Sequence, residues 1–340
     1  MNKNNNLFTY ATSELSQDAF LCWLFSYAME DADDEPALKE CAIDFIKQFI
    51  PDLNEEDKIW ISEPPRKQYK SIDILLTVND KYKVIIEDKT YTSEHDDQLK
   101  RYLEDVKIDF CDYIPIGVYF KTGFQSDLSN VKENKYLPFG RKQILSTIEK
   151  YTSKTNNIIF HSYYETIKSF DDEIKGYKYL PVSDWKWAEI NGFYDELKAE
   201  IESSKHLDCN YGYVANQSGG FYGMWISNNI IRNYNSKEYE LYLQCEFSNG
   251  NLCICYKASS KDGEKIYRDV REYFVWREED KWVNIADRNG FIKPQRYGCG
   301  KTVTLGFYKT ENKVYNANQL KEAIYNAIDA FENTIKELEV

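Results

Sequence analysis

The chain has 340 residues, 42% of them apolar and 29% charged, a composition that excludes a disordered chain and is long enough for two globular cores. Its formal net charge of −13 argues against a protein that coats nucleic acid by bulk electrostatics, though a local basic groove beside a metal-charged pocket stays open. No run of about eighteen uninterrupted apolar residues occurs, so no membrane-spanning helix is expected.

The N-terminus, "MNKNNNLFTYATSELSQDAF", lacks the basic-then-apolar order of a secretory signal. The eight cysteines are scattered without zinc-knuckle spacing; Cys253 and Cys255 in "NLCICYK" fit a half-buried strand better than a metal site. A reduced, cytoplasmic protein is the expectation.

In chain order, the first helix is predicted to start near Thr12 or Ser13 and to run through "ELSQDAFLCWLFSYAME", with Leu15, Ala19, Cys22 and Trp23 at helical spacing. A second follows Pro36 in "PALKECAIDFIKQFI" and stops before Pro51. "KIWISE" reads as a short strand and "PPRKQYK" as a basic loop. Two strands then occupy "SIDILLTV" and "KYKVIIEDK". A helix lies in "SEHDDQLKRYLEDV", capped by Thr92 or Ser93, and a strand in "YIPIGVYFKT". "RKQILSTIEKY" (helix) and "NNIIFHSYY" (strand) close a first domain, set at residues 1–180.

A linker is placed around "KGYKYLPVSDWKWAE". Residues 181–340 form an α+β domain: a helix in "DWKWAEINGFYDELKAEIES", strands in "GGFYGMWI", "EYELYLQCEF", "NLCICYK" and "KTVTLGFY", and a last amphipathic helix in "NANQLKEAIYNAIDAFENTIKELE". No repeat or low-complexity tract appears.

The two strands after "PPRKQYK" carry acids among isoleucines and valines, where charge is expensive to bury. Side chains alternate faces along a strand. Glu87 and Lys89 therefore share a face with Ile85, and Asp88 points to the other. A three-residue loop, Asn79-Asp80-Lys81, sets Asp73 across from Glu87 and aligns Ile72, Ile74 and Leu76 with Val84 and Ile86 as a core-facing layer. A two-residue turn would separate the acids; the apolar pattern prefers the longer loop, although Lys81 then takes a position that favours glycine. Two carboxylates roughly 5 Å apart repel unless a hard cation lies between them. Mg²⁺ suits such a pair, and Lys89 would stabilise charge developing on a phosphate.

Asp73, followed by Glu87-Asp88-Lys89 at the end of the next strand, resembles the D…(D/E)-x-K signature of the PD-(D/E)XK nuclease superfamily. Ile72 stands where that name has proline. Glu14 resembles the first-helix acid that many members use as an extra metal ligand or water contact. Gln98 and Tyr102 in "QLKRY" resemble the Q-x-x-x-Y motif of RecB-like members, and at four residues apart they share a helix face. The resemblance covers the first half of the chain. It implies an α/β, restriction-endonuclease-like αβββαβ core, a mixed sheet flanked by helices. It also implies an Mg²⁺-dependent deoxyribonuclease, with Mn²⁺ as a substitute ion. Asp73, Glu87, the Asp88 carbonyl and Glu14 would hold metal, Lys89 would assist the attacking water, and Gln98 and Tyr102 would position the strand. Nucleic acid, foremost DNA, is the expected partner, with an oligomer or protein contact through the C-terminal domain as a further expectation. The competing reading is a catalytically silent nuclease-like fold that binds nucleic acid or protein.

Other features carry no site. "GCGKT" at 298–302 lacks the earlier glycine of a phosphate loop, "NQSGGFYGMW" lacks dinucleotide-loop spacing, and His95, His161 and His206 show no ligand spacing.

Overall fold

The structure, a computed structural model, describes residues 6–338 except 33, 55, 96, 217–218, 249–250, 275–286, 288, 296–297 and 310–315. The first residues of the N-terminal stretch, part of "NQSGGFYGMW" and the predicted helix end at Glu339 lie outside the described residues. Two compact units make up the chain, residues 1–172 and 173–340.

In the first unit, α1 spans Glu14–Ser26 and buries Gln17, Asp18, Phe20, Leu21, Leu24 and Phe25. The apolar spacing had pointed to Leu15 and Ala19 instead; Leu15 is 58% exposed. This helix is apolar around much of its girth, so the buried face is chosen by its neighbours, and it includes two polar residues. α2 spans Pro36–Phe49 with proline in its first turn, where no amide is needed.

β1 (Ile61–Tyr69) absorbs "PPRKQY", so the expected basic loop is strand. It lies at the sheet edge with register shifts before Arg66, the setting in which prolines are tolerated in a sheet. β2 (Ile72–Val78) and β3 (Tyr82–Lys89) form an antiparallel hairpin. Val78 pairs with Tyr82, leaving the three-residue loop. The left-handed residues are Asn79 (φ 54°) and Asp80 (φ 49°), not Lys81; short polar side chains tolerate that region best.

After α3 (Gln98–Asp109), β4 (Ile114–Lys121) runs parallel to β3. α4 (Ser129–Glu133) and β5 (Tyr136–Gly140) follow, with β5 parallel to β4. α5 is Arg141–Glu149 and α6 is Ile158–Ile174. "NNIIFHSYY" is thus the start of a helix, not a strand. Asn157 Oδ1 accepts the amides of Ile159 and Phe160 at 3.1 and 3.2 Å, a helix cap, and Phe160, Tyr163 and Ile167 are buried at helical spacing.

The sheet order is β1-β2-β3-β4-β5. Residues of α1, α2, α5 and α6 pack with Ile74, Leu76, Val84 and Ile86 in one core. Leu99, Tyr102 and Val106 of α3 pack with Leu75, Ile85 and Tyr119 in the other. Ile72 joins this second core, so the expected alternation breaks between it and Ile74. With layers on both faces, β3 is buried along its whole length, and its charged residues are inside by construction.

In the second unit, α7 (Trp187–Lys205) precedes β6 (Asp208–Val214), β7 (Phe221–Tyr234), β8 (Lys237–Ser248) and β9 (Asn251–Ser260). α8 (Arg268–Phe274), β10 (Phe291–Ile292), β11 (Thr302–Tyr308) and α9 (Ala317–Leu338) complete it. The antiparallel sheet has the order β10-β11-β9-β8-β7-β6. Leu241, Leu243 and Cys245 of β8 share a core with Phe193 and Leu197 of α7 and Ile324 and Phe331 of α9. The fold class is α/β, a five-stranded mixed sheet flanked by helices, with an added α+β unit. Among the described residues, no helix is long and apolar enough to cross a membrane.

Candidate active site

The β2–β3 ladder ends at Ile74 and Ile86. Just beyond it, Asp73 takes over the pairing with its side chain. Its Oδ2 accepts the Asp88 backbone N–H at 2.9 Å, and its Oδ1 accepts Gln68 Nε2 at 3.1 Å. Glu87 is fully buried. Lys89 Nζ donates to Glu87 Oε1 and lies 3.9 Å from Asp73 Oδ2. Asp73, Glu87 and Lys89 therefore meet at the end of two neighbouring strands.

α3 closes the arrangement. Gln98 Nε2 donates to Glu87 Oε1 and to the Tyr102 hydroxyl, each at 2.9 Å, and that hydroxyl donates to the Ser71 carbonyl at 2.6 Å. Tyr102 is 1% exposed. The polar ends of this pair face Glu87 and the start of β2, so the contact the structure records for them is with the site's own carboxylate.

Glu87 Oε2 is buried with no hydrogen-bond partner. Burial, and next Asp73, push the Glu87 carboxyl up to about 8 against the pull of Lys89. Burial alone would lower Lys89, but Glu87 and Asp73 outweigh it and hold the ammonium above its usual range. The site is short of positive charge.

The side chains of Asp88 and Glu14 are engaged elsewhere. The Asp88 side chain points to the opposite face, where Gln17 Nε2 donates to its Oδ1 at 2.5 Å, while the Asp88 carbonyl lies 3.3 Å from Lys89 Nζ. Glu14 Oε1 accepts the Thr90 amide at 2.7 Å and the Thr92 hydroxyl at 3.3 Å, clasping the segment after β3. Among the described residues, no group of three or more His, Cys, Asp or Glu could hold a metal. Of the anticipated carboxylates, Asp73 and Glu87 are the two that meet beside Lys89. Two carboxylates, one of them with an orphaned oxygen, fit Mg²⁺, which is typically held by one or two carboxylates, several waters and substrate phosphate.

Several neighbours of the site escaped the sequence reading. Asp18, four residues after Glu14, is 1% exposed; burial and then Asp73 raise its carboxyl to about 6. Asp88 is raised well above its usual range by burial and then by Asp18. Asp18 Oδ1 and Asp88 Oδ2 both lack partners. Tyr163 donates to Gln17 Oε1 at 3.1 Å, which orients the Gln17 amide toward Asp88. Lys121 pairs with Lys89 in the parallel register and donates to the Thr92 carbonyl at 2.5 Å; burial lowers it to about 8. Gly123 meets this segment so closely that a Cβ would lie 1.9 Å from the Thr90 carbonyl oxygen, so no larger residue fits there. The one available signal was the i, i+4 spacing of Glu14 and Asp18. The other contacts join residues far apart in sequence.

A family model described as the PD-(D/E)XK nuclease superfamily matches residues 1–186. No curated protein and no solved structure matches the chain.

Proposed function

The chain belongs to the PD-(D/E)XK nuclease superfamily, and from that premise we propose that it is an Mg²⁺-dependent deoxyribonuclease, with Mn²⁺ able to substitute. The observation that carries this reading is the buried, partnerless Glu87 Oε2 beside Asp73 and Lys89. Asp73 and Glu87 would hold the ion, with the Asp88 carbonyl as the neighbouring backbone oxygen. A divalent ion there would supply Lewis acidity toward a phosphoryl oxygen and lower the pKa of water.

The remaining work falls to this chain's own groups. The Asp88 amide fixes Asp73 Oδ2, and Gln98 fixes Glu87 Oε1, so neither carboxylate has to be ordered when substrate arrives. Lys89, between the two acids, would orient the attacking water and stabilise charge developing on the phosphate. In-line attack with departure of the 3′ oxygen would leave 5′-phosphate and 3′-hydroxyl ends. Tyr102 would keep Gln98 and the start of β2 in place. Glu14 would act on the segment that follows Lys89.

The test is cleavage of single- and double-stranded DNA with Mg²⁺, Mn²⁺ or EDTA, beside Asp73→Ala and Lys89→Ala. Wild-type cleavage that falls on the order of 100-fold or more in both variants and vanishes with EDTA is expected. Equal cleavage in all three proteins rejects the enzyme. DNA binding without turnover by clean wild type would favour the silent binding module, and RNA cleaved in preference to DNA would change the substrate but keep the chemistry.

A further inference from the structure

Cys253 and Cys255 lie two residues apart on β9, hence on one face, with sulfurs 3.6 Å apart. The register sets Glu246 opposite Cys253 and Gln244 opposite Cys255. Cys255 Sγ donates toward Glu246 Oε1 at 3.6 Å. That oxygen also accepts Gln244 Nε2 at 2.8 Å and pairs with Lys257 Nζ at 3.1 Å. Trp225 Nε1 in turn donates to Gln244 Oε1 at 3.1 Å. Cys255 is 1% exposed, whereas Cys253 is half-buried and the more accessible of the two.

We propose that Cys253 and Cys255 are a peroxide-reactive dithiol, in which Cys253 is oxidised first and Cys255 closes a disulfide onto it. The Cys253 thiolate attacks the peroxide oxygen, breaking the O–O bond to give a sulfenic acid and, after protonation, one water. Cys255 then attacks the Cys253 sulfur, its proton passes to Glu246, and the sulfenic hydroxide leaves as a second water by taking that proton from Glu246. Two thiols have lost two electrons and two protons, and hydrogen peroxide has become two waters.

The geometry assigns each step to a different group. The close sulfur–sulfur contact with Cys255 holds the Cys253 thiol below its usual range, and the same contact, with burial, pushes Cys255 up. The accessible sulfur is therefore the better nucleophile. Glu246, anchored by Lys257 and Gln244, is placed to receive the Cys255 proton only as the second attack proceeds. Two residues along a strand separate Cα atoms by about 6.6–6.8 Å, the wide end of the disulfide range. The bond can form but is strained, and strained disulfides are the readily reduced ones. The modification is reversible for that reason.

The test treats the reduced full-length protein with stoichiometric hydrogen peroxide, alkylates the remaining thiols and analyses the peptides by mass spectrometry. The exposed Cys111 and Cys299 serve as internal comparisons. The peptide carrying Cys253 and Cys255 is expected to lose two hydrogens and both alkyl tags, and dithiothreitol to restore them. Cys255→Ser is expected to leave a dimedone-trappable sulfenic acid on Cys253. Glu246→Gln should close the disulfide about 100-fold more slowly. Both thiols still fully alkylated while Cys111 and Cys299 are oxidised would overturn the proposal. So would independent overoxidation of each sulfur without the disulfide species.

Discussion

The carboxylate of Asp73 receives the backbone N–H of Asp88 at 2.9 Å, at the point where the β2–β3 ladder ends. The bond holds Asp73 beside Glu87 and Lys89 on one face. It also ties the acid to a residue whose side chain is gripped by Gln17 from the other face. The acid proposed to hold the metal and the strand-pairing acceptor are the same group.

Replacing this group by its amide separates the two roles. Asp73→Asn keeps an oxygen for the Asp88 amide, so its denaturation midpoint should stay near wild type while DNA cleavage falls about 100-fold or more. Asp73→Ala should show the same loss of cleavage and also lose about 1–3 kcal/mol in urea unfolding, because the amide is left unsatisfied. Equal stability of the two variants would remove the pairing role.

Glu87 makes the metal-free protein sensitive to pH in a definite direction. Its folded carboxyl keeps a proton up to about 8, whereas an unfolded one releases it near the ordinary carboxylate value. Between those limits the native state binds more protons, so stability falls as pH rises and levels off above about 8, by a few kcal/mol in all, on the order set by such a shift. Mg²⁺ or Mn²⁺ should therefore raise the melting temperature more at pH 8.5 than at pH 5.5, and EDTA should abolish the gain. Glu87→Gln should flatten the pH profile and abolish the metal increment. Thermal melts across pH with and without ion read all three outcomes.

Lys89→Met strands two carboxylates without their cation. Removing one partner of a buried ion pair costs about 3–5 kcal/mol, and a loss of that order is expected at pH 8, shrinking toward pH 5 as Glu87 takes up a proton. Adding Glu87→Gln should recover most of it without restoring cleavage. A double-mutant cycle in urea measures the coupling.

Asp18 and Asp88 oppose each other behind the site. Asp18 titrates near 6 in the fold, above its unfolded value, so its contribution to stability also declines as pH rises through that range. Asp18→Asn supplies an amide donor to the Asp88 carboxylate. A gain of about 1 kcal/mol at pH 8 and little change at pH 5 is expected, measured by chemical denaturation at the two pH values. A loss at both would mean that the Asp18 carboxyl makes a contact the amide cannot replace.

The hairpin and the placing of its charged residues were legible because they are local. Alternation in "SIDILLTV" and "KYKVIIEDK" sets the faces, and the apolar match of Ile74 and Leu76 with Val84 and Ile86 sets the loop at three residues. The same local logic failed at "NNIIFHSYY", where a short β-branched and aromatic run fits both strand and helix periods, and at "PPRKQY", which is strand only because an edge tolerates proline.

The sequence by itself determined that Glu87 and Lys89 share a face of β3 and that a three-residue loop brings Asp73 toward them, since side-chain direction and register follow from strand period and the apolar match. Only the tertiary structure decided which further groups meet them. Packing of α1 and α3 against opposite faces brings Asp18 and Gln17 to Asp88 and Gln98 to Glu87, directs the Glu14 carboxylate to Thr90, and seals Glu87 from water. Those outcomes depend on contacts between residues distant in the chain, and on the free energy of burying charge, which no local pattern encodes.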